Sequence, residues 1–233
     1  MEGSAYHGDY NIFLTLVPRV PRARQLFGVA KGLEYLHSLD IAHGDLKGVS
    51  HPSSFSLASL VLDFTIFLIS WPQANVVIDQ CGRARLTEYG LALIISNPDF
   101  ATPGGVGASR WLAPEITNLD EGDSTLVKES KPADVFAFAM LALEAFTGRI
   151  PFEEQVAEVA AHRISRGDRP KMPTNAQKVG LTIGIWKLLE SCWHHDPKKR
   201  PPVKQVVRRW QKFVDVNNDN NVVTGYVQIT RVF

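Results

Sequence analysis

The stretch GLEYLHSLDIAHGDLKG, residues 32–48, decides the fold, because a helical pattern ends in it and a run of reactive side chains begins. Apolar residues recur at helical spacing here and just before, at Leu26, Val29, Ala30, Leu33 and Leu36. This spacing predicts an amphipathic helix over residues 22–39 with one buried face. The polar residues His43–Lys47 follow that helix directly, so its end sets where they lie.

Two short strands and a long buried helix are predicted beyond this stretch. Residues 75–79 and 84–87 have the pattern of short strands, and Cys81-Gly82 between them suggests a turn. Residues 133–147 are apolar nearly all round, which predicts a central buried helix capped by Gly148.

The later part of the chain repeats the helical pattern. Helices are expected at 153–166, 181–194 and 202–216. The proline- and glycine-rich run 97–107 predicts a loop, and residues 217–233 predict a loose tail. The fold class expected from these patterns is mainly α with a small β-hairpin.

Composition narrows the possible functions. The net charge of +1 produces no strong field to attract nucleic acid or an anionic membrane. The two cysteines, Cys81 and Cys192, lack disulfide or metal spacing, which favours a reducing, intracellular and cytoplasmic location. The apolar run 57–70 is shorter than the roughly 20 residues of a membrane span and contains Asp63, which argues against a transmembrane helix.

Five motifs occur in a fixed order along the chain. They are HGDLK at 43–47, EYG at 88–90, APE at 113–115, KPADVFAFAMLALEAFTGRIPF at 131–152 and SCWHHDPKKRP at 191–201. Together they resemble the C-terminal lobe of a eukaryotic protein kinase, whose motifs H-R-D, D-F-G and A-P-E have the same order. The HGDLKG loop is similar to that of fungal tyrosine-kinase-like sequences. The resemblance covers roughly residues 20–215.

The resemblance implies a set of catalytic residues and cofactors. Asp45 would accept the proton of a protein hydroxyl, and Lys47, which favours Ser/Thr over Tyr, would lie against the transferring phosphoryl group. Asn75 and Glu88 would bind the Mg²⁺ of Mg-ATP, with Glu88 standing where the family has Asp. The implied cofactors are ATP and Mg²⁺, and the implied partner is a protein substrate or binding partner.

The resemblance also implies structural roles. His43 begins the catalytic loop, Asp134 would hold the backbone of that loop, and Glu115 and Arg200 would form a buried ion pair. Simpler interpretations stay open for single residues. Asp45 and Lys47 could be a solvated surface pair, and His194-His195-Asp196 fits a surface turn better than a metal site.

Three tryptophans, Trp111, Trp186 and Trp193, are predicted to lie in the core or a groove rather than to stack on bases. The reason is that no basic stripe accompanies them.

An insert separates two of the implied site residues. Asn75 lies thirty positions after Asp45, whereas the family places it five after. Removing residues 49–73 restores the family spacing. Val49-Ser50 can be encoded by GTAAGT and Gln73 by CAG, the usual ends of an intron, so a translated intron is our first hypothesis. A genuine insertion is the alternative.

The expected domain organisation is a hinge-like lead-in at 1–20, a kinase C-terminal lobe at 21–216 containing the insert, and the tail. No G-x-G-x-x-G or V-A-I-K run precedes His43, so the β-rich N-terminal lobe is expected to be missing and catalysis to be weak or absent. Gly44 for the family's arginine, Glu88 for its aspartate and Ala108 for a frequent threonine point the same way. The alternatives are a pseudokinase that serves as an interaction module and an imperfect gene model.

Overall fold

A computed structural model describes residues 22–47, 75–78, 84–86, 109–117 and 130–215 of the chain. The first helix, α1, spans Arg22–Ser38, and all five apolar positions of the predicted stripe are buried in it. The predicted helix is therefore confirmed, and it ends one residue early. Asp40 takes a left-handed conformation (φ 61°), which an α-helix cannot accommodate, so the chain turns away at this point.

Two strands pair next to α1. Strand β1 spans Val76–Ile78, and strand β2 spans Ala84–Leu86. They run antiparallel, with Val76 opposite Leu86. Strand β1 begins one residue later than predicted. Asn75 lies outside β1, and its side chain bonds to another loop.

The longest apolar helix, α3, spans Lys131–Thr147. It follows a short helix that the apolar pattern does not predict, α2, at Pro114–Thr117. Helix α3 starts two residues before the predicted position because the Ser130 side chain accepts a hydrogen bond from the Ala133 N–H and caps the first turn. Gly148 ends it with φ 70°, as the sequence predicts, and its N–H donates to the Glu144 carbonyl at 2.7 Å.

The later helices are all shorter than the apolar pattern predicts. Helix α4 spans Ala157–Ser165, α5 spans Ile183–Cys192 and α6 spans Val203–Asp215. The largest error is the start of α4, which was expected at residue 153. Phe152 has φ 55° and its carbonyl accepts from the Gln155 N–H, so this segment forms a turn instead.

A 3₁₀ turn at Pro197–Lys199 joins α5 to α6 and was also not predicted. The Asp196 side chain accepts from the Lys198 N–H at 2.9 Å and starts this turn. The neighbouring His194 and His195 are exposed, so the surface-turn interpretation of this stretch is confirmed.

The core forms around α1 and α3. Helix α1 packs against α6, α3 and β2, while α3 also packs against α5. The indole N–H of Trp210 on α6 donates to the Ala23 carbonyl of α1 at 2.8 Å, and its ring meets Phe138 of α3 edge to face at 5.2 Å. The three tryptophans predicted for the core, Trp111, Trp186 and Trp193, are all buried.

Several predictions fall outside the described residues. They concern the lead-in 1–20, the insert 49–73 with its apolar run 57–70, the turn at Cys81-Gly82, Glu88, the loop 97–107 and the tail 217–233. Among the helices that are described, none is long and apolar enough to cross a bilayer.

Leu33→Ala tests the packing of α1. Leu33 is fully buried, so its truncation is expected to lower the free energy of unfolding by about 3 kcal/mol, the usual cost of such a cavity. The neighbouring Tyr35 is 55% exposed, and Tyr35→Ala should change this free energy by less than about 1 kcal/mol. Urea denaturation of both variants measures the difference. Equal losses would contradict the packing described here.

Candidate active site

The buried carboxylate of Asp134, in the first turn of α3, connects α3 to the loop that follows α1. Its Oδ2 accepts the His43 N–H at 2.8 Å, and its Oδ1 accepts the Gly44 N–H at 2.9 Å. Oδ2 also lies 2.7 Å from Nε2 of His37, near the end of α1. Asp134 is only 2% exposed, so these hydrogen bonds replace the water that the carboxylate loses on burial. The structure thus brings Asp134 and His43 together.

The conformation of this loop depends on Gly44. Gly44 has φ 79°, in the left-handed region that glycine adopts without steric cost. Both Gly44 and His43 direct their N–H groups at the same carboxylate, and the Asp45 N–H points back to Nδ1 of His43 at 3.4 Å. The loop is therefore folded tightly onto the start of α3.

Asp45, Lys47 and Asn75 meet at one carboxylate oxygen. Lys47 Nζ and Asn75 Nδ2 each lie 2.8 Å from Oδ2 of Asp45. Asn75 Nδ2 also donates to the Asp45 backbone carbonyl. The side chains of Asp45 and Lys47 are 32% and 18% exposed, so the pair is accessible and at the same time held in place. Residues thirty positions apart in the sequence are in direct contact.

Asn75 also presents an acceptor without a partner. Its Oδ1 is buried and receives no hydrogen bond, because both contacts of the side chain are made by Nδ2. A buried amide oxygen without a donor is costly, and Mg²⁺ prefers oxygen ligands of this kind. The amide oxygen of Asn75 therefore fits a ligand of a divalent cation such as Mg²⁺. Among the described residues, no group of three His, Cys, Asp or Glu side chains is close enough to hold a metal.

Glu115 and Arg200 form a bidentate ion pair. Arg200 NH1 and NH2 lie 2.6 Å and 2.7 Å from the two carboxylate oxygens, and the Arg200 side chain is fully buried. The remaining donors of its guanidinium go to backbone carbonyls, those of Pro132, His194 and His195. All five N–H groups are thus used, which makes burial of the charge tolerable.

The guanidinium of Arg200 also lies 5.0 Å from the ring centroid of Phe136 on α3. Through these contacts Arg200 joins α2, α3 and the turn before α6. Glu115 and Arg200 are thus brought together by the fold, although 84 residues separate them in sequence.

The segment before α2 is held by Arg110, which the sequence analysis did not single out, and by Trp111, which it placed in the core or a groove. Arg110 donates to the Pro151 and Phe152 carbonyls at 3.0 Å and 2.6 Å. Trp111 donates from its indole N–H to Oε2 of Glu144 at 3.0 Å, and both residues are buried. The sequence signal that could have revealed this contact is Glu144, a glutamate within the apolar part of α3. Burial raises the pKa of the Glu144 carboxyl to about 8, and the hydrogen bond from Trp111 opposes this shift only in part.

An open cleft separates this segment from the loop that carries Asp45. The cleft is small, with about 20 Å³ accessible to a water-sized molecule, and it is bounded by residues 44–47 on one side and by Trp111, Leu112, Ala113 and Ile116 on the other. Helix α3 forms its floor with Ala133, Asp134 and Ala137. The acidic and basic groups of the loop thus face an apolar wall across the cleft. Glu88 lies outside the described residues.

Asp134→Asn tests the attachment of the loop. An amide can accept at one position only, and its NH₂ group would face a backbone N–H. We expect a loss of about 2 kcal/mol in unfolding free energy, together with faster hydrogen exchange at His43 and Gly44.

The control for this change is Asp168→Asn. Asp168 forms an exposed ion pair with Arg163, so this change should leave both quantities nearly unaltered. Unchanged exchange at the two loop amides in Asp134→Asn would contradict the attachment.

Comparison with known proteins agrees with this geometry. The chain is 27% identical over 183 residues to a probable serine/threonine-protein kinase of Dictyostelium discoideum, covering 78% of this chain and 9% of the relative. It is 26% identical to serine/threonine-protein kinase 12 of Arabidopsis thaliana, covering 82% of this chain and 35% of the relative. A dual specificity protein kinase, pyk3 of Dictyostelium discoideum, is 25% identical over 79% of this chain and 11% of its own length.

The chain therefore spans between 9% and 35% of the length of these relatives. The family model for protein tyrosine and serine/threonine kinases matches residues 72–210, which is more than half of the chain. The chain belongs to the protein tyrosine and serine/threonine kinase family.

Proposed function

We propose that residues 21–216 are a kinase C-terminal lobe of the tyrosine-kinase-like type. Its reaction is transfer of the ATP γ-phosphoryl group to a Ser or Thr hydroxyl of a protein, and less readily to Tyr. The observation that carries this proposal is the meeting of Asp45, Lys47 and Asn75, of which Asp45 and Lys47 line the cleft. Residues 1–20 are the lead-in and 217–233 the tail. The intracellular, cytoplasmic location expected from cysteine usage belongs to the same proposal.

Asp45 is the proton acceptor. Its Oδ2 is occupied by Lys47 and Asn75, while no group of the described residues bonds to Oδ1. Oδ1 is therefore available to a substrate hydroxyl in the cleft. The two hydrogen bonds to Oδ2 hold the carboxylate still, and this fixed geometry contributes to the rate of proton transfer.

Lys47 and Asn75 serve the phosphoryl group and its metal. The Lys47 ammonium lies on the cleft side of Asp45, where it neutralises charge on the transferring group. Asn75 Oδ1, with Glu88, is the proposed Mg²⁺ ligand. Mg²⁺ bound with ATP would supply charge neutralisation at the phosphates. His43, Asp134, Glu115 and Arg200 keep the two walls of the cleft in place.

The second candidate function is a pseudokinase that acts as an interaction module. Three sequence features favour it: Glu88 in place of aspartate, Gly44 in place of arginine, and the 25 residues of the insert. Measured phosphoryl transfer separates the two functions.

Asp45→Asn is the test of catalysis. The chain, incubated with Mg-ATP and a library of Ser/Thr and Tyr peptides, is expected to phosphorylate Ser/Thr peptides slowly. Asp45→Asn should lower this rate by about 100-fold or more, because general-base catalysis contributes at least that much. Asp40→Asn is the control, since Asp40 is an exposed acid that pairs with Lys131 outside the cleft. Transfer that survives in Asp45→Asn would contradict the assigned base.

Removal of residues 49–73 tests the insert. In the shortened chain, Gly48 and Ala74 join Lys47 to Asn75 through three peptide units, which span up to about 11 Å. This link is long enough because Asn75 already contacts the Asp45 backbone. The shortened chain is expected to keep its fold and to transfer phosphate at least about 10-fold faster, because the catalytic groups are then held by a tight loop.

If neither form of the chain transfers phosphate or is stabilised by Mg-ATP, the proposed catalytic function is wrong. The interaction module is then the supported function. A shortened chain that unfolds would show that the insert is a genuine part of the protein. Sequencing the transcript across codons 49–73 tests the intron hypothesis directly.

A further inference from the structure

The cleft wall opposite Asp45 is a short segment, residues 109–117, that is tied down by side-chain hydrogen bonds. Ser109 Oγ donates to the Ala157 carbonyl at 3.2 Å, and Arg110 binds carbonyls of the turn before α4. Glu115 closes the other end through Arg200. Between these ties, Trp111 is the residue that both faces the cleft and reaches into the core.

The bond between Trp111 and Glu144 differs in kind from the others. It joins a neutral indole N–H to a carboxyl group that is almost completely buried in the apolar part of α3. No salt bridge among the described residues involves Glu144. A carboxyl group buried without a cation is driven to its neutral form, because an isolated charge is poorly solvated there.

The charged groups on the surrounding elements are directed elsewhere. The Arg22 guanidinium of α1 donates to the carbonyls of Phe146 and Val179. Arg110 faces backbone carbonyls, and Arg149 pairs with Glu153 on the turn before α4. On the other packed elements, Arg163 pairs with Asp168, and His37 bonds to Asp134. The remaining charged groups occupy exposed positions: Glu158 and His162 on α4, and Lys187 and Glu190 on α5. Among the described residues, Glu144 thus has a hydrogen-bond donor as its neighbour but no counter-charge.

We propose that Glu144 is a positioning residue that acts as a neutral acid, latching Trp111 and through it the cleft wall 109–117 opposite Asp45 and Lys47. The substrate-facing role of this wall rests on the proposed function; the latch itself does not. Breaking the Trp111 bond and lifting the segment admits water to the carboxyl. The opened form can then ionise, whereas the closed form holds the proton.

This difference makes the latch sensitive to pH. Burial raises the pKa of the Glu144 carboxyl from 4.5 to about 8 in the closed form. A raised pKa stabilises the closed form fully below pH 4.5, and this stability is lost as pH rises towards 8. The opening equilibrium therefore grows by about tenfold for each pH unit in this window and levels off above it.

The experiment is hydrogen exchange of the full chain at about pH 5.5 and about pH 7.5, corrected for intrinsic exchange rates. Amides of the segment 109–117 are expected to lose protection by about 100-fold between these two conditions. Glu144→Gln keeps an acceptor for the Trp111 N–H and cannot ionise. In this variant, segment 109–117 should show the same protection at both pH values. Glu144→Ala removes the acceptor and should lower protection at both.

The chain contains a matched control for this test. Trp186 donates to Oε1 of Glu190 at 2.8 Å on α5, the same indole–carboxylate bond, but Glu190 is exposed. Glu190→Gln should therefore leave the pH dependence of the segment unchanged. Amides of α6 report global unfolding, which also exposes Glu144 and shares its pH dependence, so local opening is recognised by protection of the segment that is lower than that of α6 at both pH values.

Two outcomes would overturn the proposal. A pH dependence that persists in Glu144→Gln would show that another group titrates. Protection of the segment that equals that of α6 at both pH values would show that the segment opens only by global unfolding and that Glu144 affects only global stability. Because the measurement uses neither ATP nor a peptide, its outcome is independent of whether the chain transfers phosphate. A chain that transfers no phosphate but shows the pH-dependent latch would contradict the proposed function and leave the latch supported.

Discussion

The cleft depends on one buried charge, the carboxylate of Asp134. A carboxylate removed from water needs hydrogen-bond donors, and here they come from the backbone at His43 and Gly44 and from the His37 ring. These donors belong to the end of α1 and the loop after it, so the loop has to fold onto the first turn of α3. The position of Asp45 follows from this constraint, because it is the next residue along the chain.

Polar groups contact helix α3 near both of its ends, and their surroundings differ. Near its start, Arg200 lies against Phe136, and Glu115 and backbone carbonyls satisfy all five of its donors. Arg169 also lies 5.0 Å from the Phe136 ring centroid, where burial and the nearby Arg200 charge lower its pKa to about 10. Near the other end, Glu144 accepts a hydrogen bond from Trp111, and burial raises the pKa of its carboxyl to about 8. Both ends of the apolar helix therefore provide an attachment for the same cleft wall.

Sequence patterns located the helices well but placed several of their ends wrongly. The apolar stripe of α1 and the all-round apolar character of α3 identify both helices, because burial requires these patterns. The start of α4 was missed by four residues, since Phe152 adopts a left-handed conformation that no apolar pattern signals. The start of α3 was missed by two because the Ser130 cap extends it beyond its apolar part. Ends depend on single side chains and dihedral angles, whereas periodicity averages over several turns.

The sequence by itself determined the order of the motifs and the mainly α fold class. It also indicated that His43, Asp45, Lys47 and Asp134 belong to one site. Only the tertiary structure decided that Asn75 meets Asp45 across thirty positions, with its Oδ1 buried and free of hydrogen bonds. It also decided that Glu144, which reads in the sequence as one more charged residue, is a buried acid bonded to Trp111. Local periodicity shows which face of an element is apolar. The protonation state of a side chain and its distant partner depend on which elements pack together, and only folding brings these into contact.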